Sequence, residues 1–289
     1  MVSEILLGGI EAGGTKFVCA VANKDLEIIE KKRIATTSPQ ETLKKVKNFF
    51  DSYKISALGV GAFGPITINK KSTDFGKIGS TPKKGWENFN IVEALQKNIK
   101  VPVYLSTDVN AAALGEKTLG AGKDKANCIY ITVGTGIGAG VIVNNEIFSG
   151  MHHPEMGHIY IKRLERDSYE GNCPYHKDCF EGIAAGPTVE ARTGMKGQDL
   201  SDDNPVWEII SEYIAEGLVN YTLSFSPEII ILGGGVMGKK FLVGLIRQKF
   251  NELMNDYALT PKINDYIVPC ALGNDSGILG SLILAQEGE

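Results

Sequence analysis

Cys173, His176 and Cys179 stand at C-x2-H-x2-C, and all four histidines of the chain fall between residues 152 and 176. Thiolates and imidazoles so closely spaced suit a closed, tetrahedral Zn²⁺ site of the Cys2His2 type. His158, 15 positions before Cys173, supplies a fourth ligand, with His152 and His153 as spare candidates. A site with four protein ligands leaves no open position, so such an ion would be structural and would hold a loop. Three Gly-rich turns each follow an apolar run: Gly13-Gly14-Thr15-Lys16, Gly134-Thr135-Gly136-Ile137-Gly138 and Gly233-Gly234-Gly235. Glycine lets backbone N–H groups come close to phosphate oxygens, and successive amides make an anion-binding nest. Any one of these turns could be a plain hairpin. Three of them, with Thr or Lys attached, point to a phosphorylated ligand. Asp108 ends the apolar run from Val101 and precedes an Ala-rich segment. A carboxylate so placed can take the proton of an alcohol that attacks a phosphate. Ser106, Thr107 or Asp108 could equally be an ordinary helix N-cap.

These groups need strands that end in turns, and the sequence supplies them. Ile5–Ile10, the turn at 11–16 and Phe17–Ala22 read as strand, turn, strand. Residues 39–53 have apolar positions at helical spacing behind a Ser38-Pro39 start, which predicts a helix. Residues 57–66 read as a buried strand running into a loop, 90–99 as a helix, 101–107 as a strand, and the stretch from Asn110 as a helix. The strand–turn–strand pattern then recurs about 120 residues on, at 127–145, with a hairpin at Asn144-Asn145. A long helix at 205–225, a buried strand at 227–233, an amphipathic helix at 239–254 and a final helix from Asp275 complete the chain. Glycine and lysine accumulate near 115–123, which places a domain boundary there. The expected lobes are 1–117, joined by 275–289, and 118–274. Trp86, Phe89 and Trp207 read as core or interface residues, and the lysines at 44–47 as a solvated face.

Composition narrows the function. Net charge is −4 and the pI about 5.7, which gives no electrostatic footprint for nucleic acid or an anionic membrane. The N-terminus shows no signal or transit pattern, and no apolar run approaches a membrane span. A cytoplasmic protein is expected, its cysteines serving metal rather than disulfides. Gly233–Gly238 fits G-x-G-x-x-G, but Glu252 falls too close to be the acidic residue expected about 20 positions on. Asp74-Phe75-Gly76 spells a protein-kinase motif without the catalytic loop that should precede it. No P-loop sequence occurs.

Taken in order, Gly9-Ile10-Glu11-Ala12-Gly13-Gly14-Thr15-Lys16, Ser106-Thr107-Asp108-Val109-Asn110, Ile131-Thr132-Val133-Gly134-Thr135-Gly136, Glu155-Met156-Gly157-His158 and Gly233-Gly234-Gly235-Val236 resemble the ROK family of sugar kinases. The segments Gly8–Val21, His153–Ile161, Cys173–Gly182 and Ala185–Pro187 look like its bacterial fructokinase branch. The resemblance runs from residue 8 to about residue 281. It implies an α/β, two-domain actin-like (ribonuclease H-like) fold with a nucleotide cleft between the lobes. It also implies ATP- and Mg²⁺-dependent phosphorylation of fructose, and a homodimer.

Carried over residue by residue, it gives Gly13, Gly14, Thr15 and Lys16 to one phosphate loop and Thr132, Gly134, Thr135 and Gly136 to another. Gly233, Gly234, Gly235 and Val236, with Gly186 and Pro187, would face the adenosine. Asp108 would be the base, and Glu155, His158 and Glu181 would meet the sugar. It also favours His158 over His152 and His153 as the zinc ligand. Two departures stand out. Glu11 occupies a position where many members have Asp, which usually helps organise magnesium. Thr81–Trp86 carries no clear equivalent of the Asn that many members place at the sugar. Sugar-responsive repressors share the resemblance but carry a helix-turn-helix ahead of the first loop, which is not expected here. Mannose or glucose are alternative acceptors. With the loops on two halves of a duplicated pattern, ligands are expected to draw the lobes together.

Overall fold

A computed structural model describes residues 5–81 and 83–288. They divide into two compact units. The first runs to Thr118 and includes Ile147–His153 and the chain from Asn274 on; the second comprises Leu119–Glu146 and Pro154–Gly273.

In the first unit, β1 (Leu6–Ala12), β2 (Lys16–Ala22) and β3 (Ile28–Ala35) form an antiparallel meander. The chain continues through α1 (Pro39–Phe50), β4 (Ile55–Ala62), α2 (Ile91–Ile99), β5 (Val103–Thr107) and α3 (Asp108–Leu119). The sheet order is β3-β2-β1-β4-β5, with β4 parallel to both β1 and β5. β1 and β4 are buried on both faces, so they read as near-continuous small and apolar residues rather than an alternation. α1 starts as its sequence predicts: the Ser38 side chain accepts from Glu41 N, and Pro39 occupies the first turn. Its Leu43, Val46, Phe49 and Phe50 join a core with Phe17, Val60 and Trp86.

The second unit repeats the plan. It holds β6 (Cys128–Val133), β7 (Ile137–Val143), β8 (Glu146–Ile147), α4 (Phe180–Ala184), α5 (Gly186–Thr193), α6 (Val206–Phe225), β9 (Ile229–Gly233), α7 (Leu242–Met254), α8 (Ile263–Tyr266) and β10 (Ile267–Pro269). The order β10-β9-β6-β7-β8 is the same arrangement, with β6 antiparallel to β7 and parallel to β9. Asn144 and Asn145 carry φ of 53° and 69°, the left-handed pair that a tight two-residue hairpin needs. The chain ends in α9 (Ser276–Glu287), which covers the face of β1 and β4 opposite α1. α9 comes so close to α3 that a Cβ on Gly280 would collide with the Ala111 carbonyl.

Besides the short elements α4, α5, β8, α8 and β10, which the sequence did not announce, two details differ from expectation. The helix after the third Gly turn begins at Leu242, because a 3-10 turn at Val236–Gly238 precedes it. β3 was not expected; it is an edge strand with only Ile34 buried and Lys31, Lys32 and Arg33 facing water, a charged edge that resists further pairing.

Candidate functional site

In the first unit, the β1–β2 connection is the turn of the first Gly motif. Gly13 N donates to Lys16 O at 3.0 Å. Thr36, just past β3, fixes the turn from outside: its N donates to Thr15 O at 3.0 Å and its Oγ1 to Gly13 O at 2.7 Å. Gly13 N is thus spent on the turn itself, and Gly14 and Thr15 carry the amides left to meet an anion. Burial raises the Glu11 carboxyl above its ordinary value; Lys16 opposes this and Asp275 reinforces it. That carboxyl also lies where a Cβ on Gly277 would meet Glu11 Cδ at 2.8 Å, so the longer acid fits a position cleared by glycine.

Asp108 stands at the β5–α3 junction, half-buried. The capping alternatives separate here. Thr107 Oγ1 accepts from Asn110 N at 3.2 Å, the bond of an N-cap residue. Asp108 is the first helical residue, and its Oδ1 accepts from Val109 N at 2.9 Å. The cap is therefore supplied by Thr107.

In the second unit, the β6–β7 turn closes more tightly: Gly134 N donates to Gly136 O at 2.9 Å, two residues on rather than three. Gly186 N donates to Gly134 O at 2.7 Å and so fastens the start of α5 to this turn. The third Gly motif closes from the other side. Gly234 has φ +93°, which a side chain would strain, and Gly233 lies against the Tyr130 ring. Together these segments bound a pocket of about 670 Å³, lined by Thr135, Gly186, Pro187, Gly235 and Val236. That volume is within the range of small-ligand sites. The lining also includes residues not expected from sequence, among them Glu190, Gln198, Trp207 and Lys239. Trp207 is buried, its Nε1 donates to Ser201 O at 2.9 Å, and Lys239 Nζ lies 5.8 Å from its ring centroid. Lys239 directly follows the Gly233–Gly238 run, a signal that could have placed it.

The Cys/His cluster is assembled. The ligand atoms of His158, Cys173, His176 and Cys179 all lie within 4.8 Å of one another. His158 Nδ1 is 3.4 Å from Cys179 Sγ and 3.7 Å from Cys173 Sγ, which is 3.7 Å from His176 Nδ1. Ligand bonds of about 2.05 Å to N and 2.3 Å to S at tetrahedral angles put N and S about 3.6 Å apart, so the donor set fits Zn²⁺. Burial pushes the Cys179 thiol up to about 11.

The His158 ring also faces the other way. Its Nε2 lies 3.9 Å from Glu181 Oε1, while Glu181 Oε2 accepts from Ile137 N at 2.8 Å. Gly136 leaves room for that carboxylate, which a Cβ there would strike. Partial burial raises the Glu155 carboxyl, with His158 opposing and Glu181 adding. Glu155, His158 and Glu181 thus form one group beside the second turn.

Comparison with known proteins agrees with this geometry. The ROK family model matches residues 7–288. The chain belongs to the ROK family. Among its relatives, a fructokinase of Pediococcus pentosaceus is 49% identical over 282 residues, covering 98% of each chain. A fructokinase of Lactococcus lactis is 48% identical over 287 residues, covering 98% of this chain and 97% of the other. The ROK hexokinase of Thermus thermophilus superposes with a TM-score of 0.82 at 23% identity, covering 98% of this chain and 99% of that one. The doubled five-stranded sheet is thus the actin-like fold of ROK sugar kinases. Among the described residues no helix is long and apolar enough to cross a membrane.

Proposed function

We propose that this chain transfers the γ-phosphoryl group of ATP to D-fructose, giving fructose 6-phosphate and ADP. The observation that carries this reading is the pocket ringed by the second and third Gly turns and the start of α5, together with full-length relatives that are fructokinases. A ROK glucokinase of Streptomyces griseus, solved with glucose and AMPPNP, has the same fold at a TM-score of 0.78.

The pocket holds the adenosine, with Gly235, Val236, Gly186 and Pro187 against it. The amides of Gly14 and Thr15, and of Thr135 and Gly136, receive phosphate oxygens. Glu155, His158 and Glu181 hold sugar hydroxyls. Asp108 accepts the proton of the attacking hydroxyl as its oxygen bonds to phosphorus; the bond from phosphorus to the β–γ bridging oxygen breaks, and its electron pair leaves with ADP. Mg²⁺ carried by ATP would neutralise phosphate charge, with Glu11 the acidic residue nearest the first loop. Zn²⁺ on His158, Cys173, His176 and Cys179 would fix the loop that presents Glu155 and set the orientation of the His158 ring. A panel of fructose, mannose, glucose and amino sugars with ATP and Mg²⁺ tests the reading. Fructose should give the highest kcat/KM. A panel won by glucose would overturn the choice of acceptor, and one with no sugar turned over would overturn the kinase itself.

A further inference from the structure

Lys83 belongs to the segment Thr81–Trp86, which the sequence left without a role. Its side chain lies along the first Gly turn: a Cβ on Gly14 would sit 3.1 Å from Lys83 Cε and 4.0 Å from its Cγ. The ammonium is one bond beyond Cε, so a positive charge stands close to the turn at Gly14.

The backbone that carries Lys83 is held firmly. Trp86 N donates to Lys83 O at 3.0 Å, and Lys83 N donates to Thr81 Oγ1 at 3.3 Å. Trp86 is buried among Phe17, Phe63 and Phe89, with ring centroids 5.3, 5.9 and 5.5 Å away. Its Nε1 donates to Thr37 O at 2.7 Å. Thr37 follows Thr36, the residue bonded to both Gly13 and Thr15. The turn and the segment bearing Lys83 are thus pinned to the same short stretch of chain. A cavity of about 580 Å³ bounded by Thr36, Lys84 and Trp86 also borders Lys83 and leaves its ammonium room to follow an incoming anion.

Charge accounting separates the two lysines of this region. Lys16 acts on the half-buried Glu11 and is partly compensated by it. For Lys83, no carboxylate among the described residues lies within ion-pair distance. A half-buried cation held against a Gly turn without a counter-ion is arranged for an anion that comes and goes. Phosphoryl transfer is served by such a cation, because charge builds on the transferred oxygens and the chain lacks a P-loop lysine.

We propose that Lys83 is a catalytic residue that contacts the phosphoryl group in flight between ATP and the sugar. This rests on the kinase reading above. As the sugar oxygen bonds to phosphorus and the bridging bond breaks toward ADP, the ammonium stabilises the oxygens of the transferred group, while the proton goes to Asp108. ADP lacks that group, so its binding should not depend on Lys83.

The test uses the full chain as wild type, Lys83→Met and Lys83→Arg, run in parallel. It reads kcat and KM for ATP and fructose, ADP affinity by calorimetry, and thermal midpoint. For Lys83→Met, kcat should fall by about 10²-fold, with fructose KM and ADP affinity within about threefold of wild type and an unchanged midpoint. Lys83→Arg should recover at least about tenfold of that loss. The proposal is overturned if Lys83→Met keeps kcat within about threefold, or if fructose KM rises while kcat holds, which would make Lys83 a sugar ligand. It is also overturned if ADP affinity falls with kcat, or if activity is lost only with the fold and Lys83→Arg does not restore it. A wild type that phosphorylates no sugar would fell the kinase reading and this proposal together; a wild type that does, beside an equally active Lys83→Met, fells this proposal alone.

Discussion

Replacing Asp108 by Asn separates the proposed chemistry from folding, because the helix cap falls to a different residue. The cap of α3 is Thr107, whose Oγ1 receives Asn110 N. Asp108 accepts from Val109 N through Oδ1, and the carbonyl oxygen of an Asn can accept the same bond. What the substitution removes is one negative charge in the first helical turn, worth about 0.3–1 kcal/mol. That should lower the thermal midpoint by no more than about 2–4 °C. Loss of a general base costs a factor of about 10² or more, which is about 2.7 kcal/mol of barrier at 1.36 kcal/mol per tenfold. The catalytic penalty therefore exceeds the folding penalty by a clear margin. Saturating Mg-ATP and fructose give kcat, and a melting curve gives the midpoint. Thr107→Ala should rank the other way, losing about 1 kcal/mol of stability with a smaller fall in kcat. An Asp108→Asn protein that melts normally and keeps kcat within about threefold of wild type would refute the assignment of the base.

Protein purified without chelator should carry one Zn²⁺ per chain, and Cys179→Ser should lose it; metal analysis that finds no zinc, or zinc unchanged in the variant, rejects the site built on His158, Cys173, His176 and Cys179. Asp167→Asn should destabilise the second unit by about 3–5 kcal/mol at neutral pH. Asp167 bonds to Arg192 at 2.6 and 3.1 Å and to the Tyr213 hydroxyl at 2.8 Å, and both ion-pair side chains are buried. Burial works to raise the Asp167 carboxyl, but the bonds from Arg192, Tyr213 and Tyr169 outweigh it and hold the group below its ordinary value. Its contribution is therefore fully present above the unfolded value of about 3.9 and disappears as pH falls through the lower folded value. Denaturant melts of the two proteins should accordingly converge only in strong acid; a gap that is already small at pH 7 contradicts the argument.

The strand and turn plan was legible because it is local. A Gly turn after a buried run marks a strand end wherever it occurs, and the recurrence at 134 of the pattern at 13 revealed the duplication that the two sheets bear out. What escaped was set by distant partners. β3 escaped because an edge strand buries only Ile34 and shows none of the alternation that marks a half-covered sheet. Trp207 read as core, and it is buried, yet it also walls the pocket, because the turn at Gly197 brings that chain to 3.2 Å from its ring as measured from an added Cβ. Lys83 lies near a glycine 69 positions earlier, a spacing with no periodicity to detect. Glu181 makes the point most sharply. Family resemblance gave it to the sugar, but it also receives Ile137 N and stands 3.9 Å from the His158 ring. One carboxylate thus links the second Gly turn to a histidine whose other nitrogen belongs to the Cys/His cluster. Zn²⁺ bound there as proposed would therefore do more than staple a loop: the rigidity it lent His158 would extend through Glu181 to the second Gly turn.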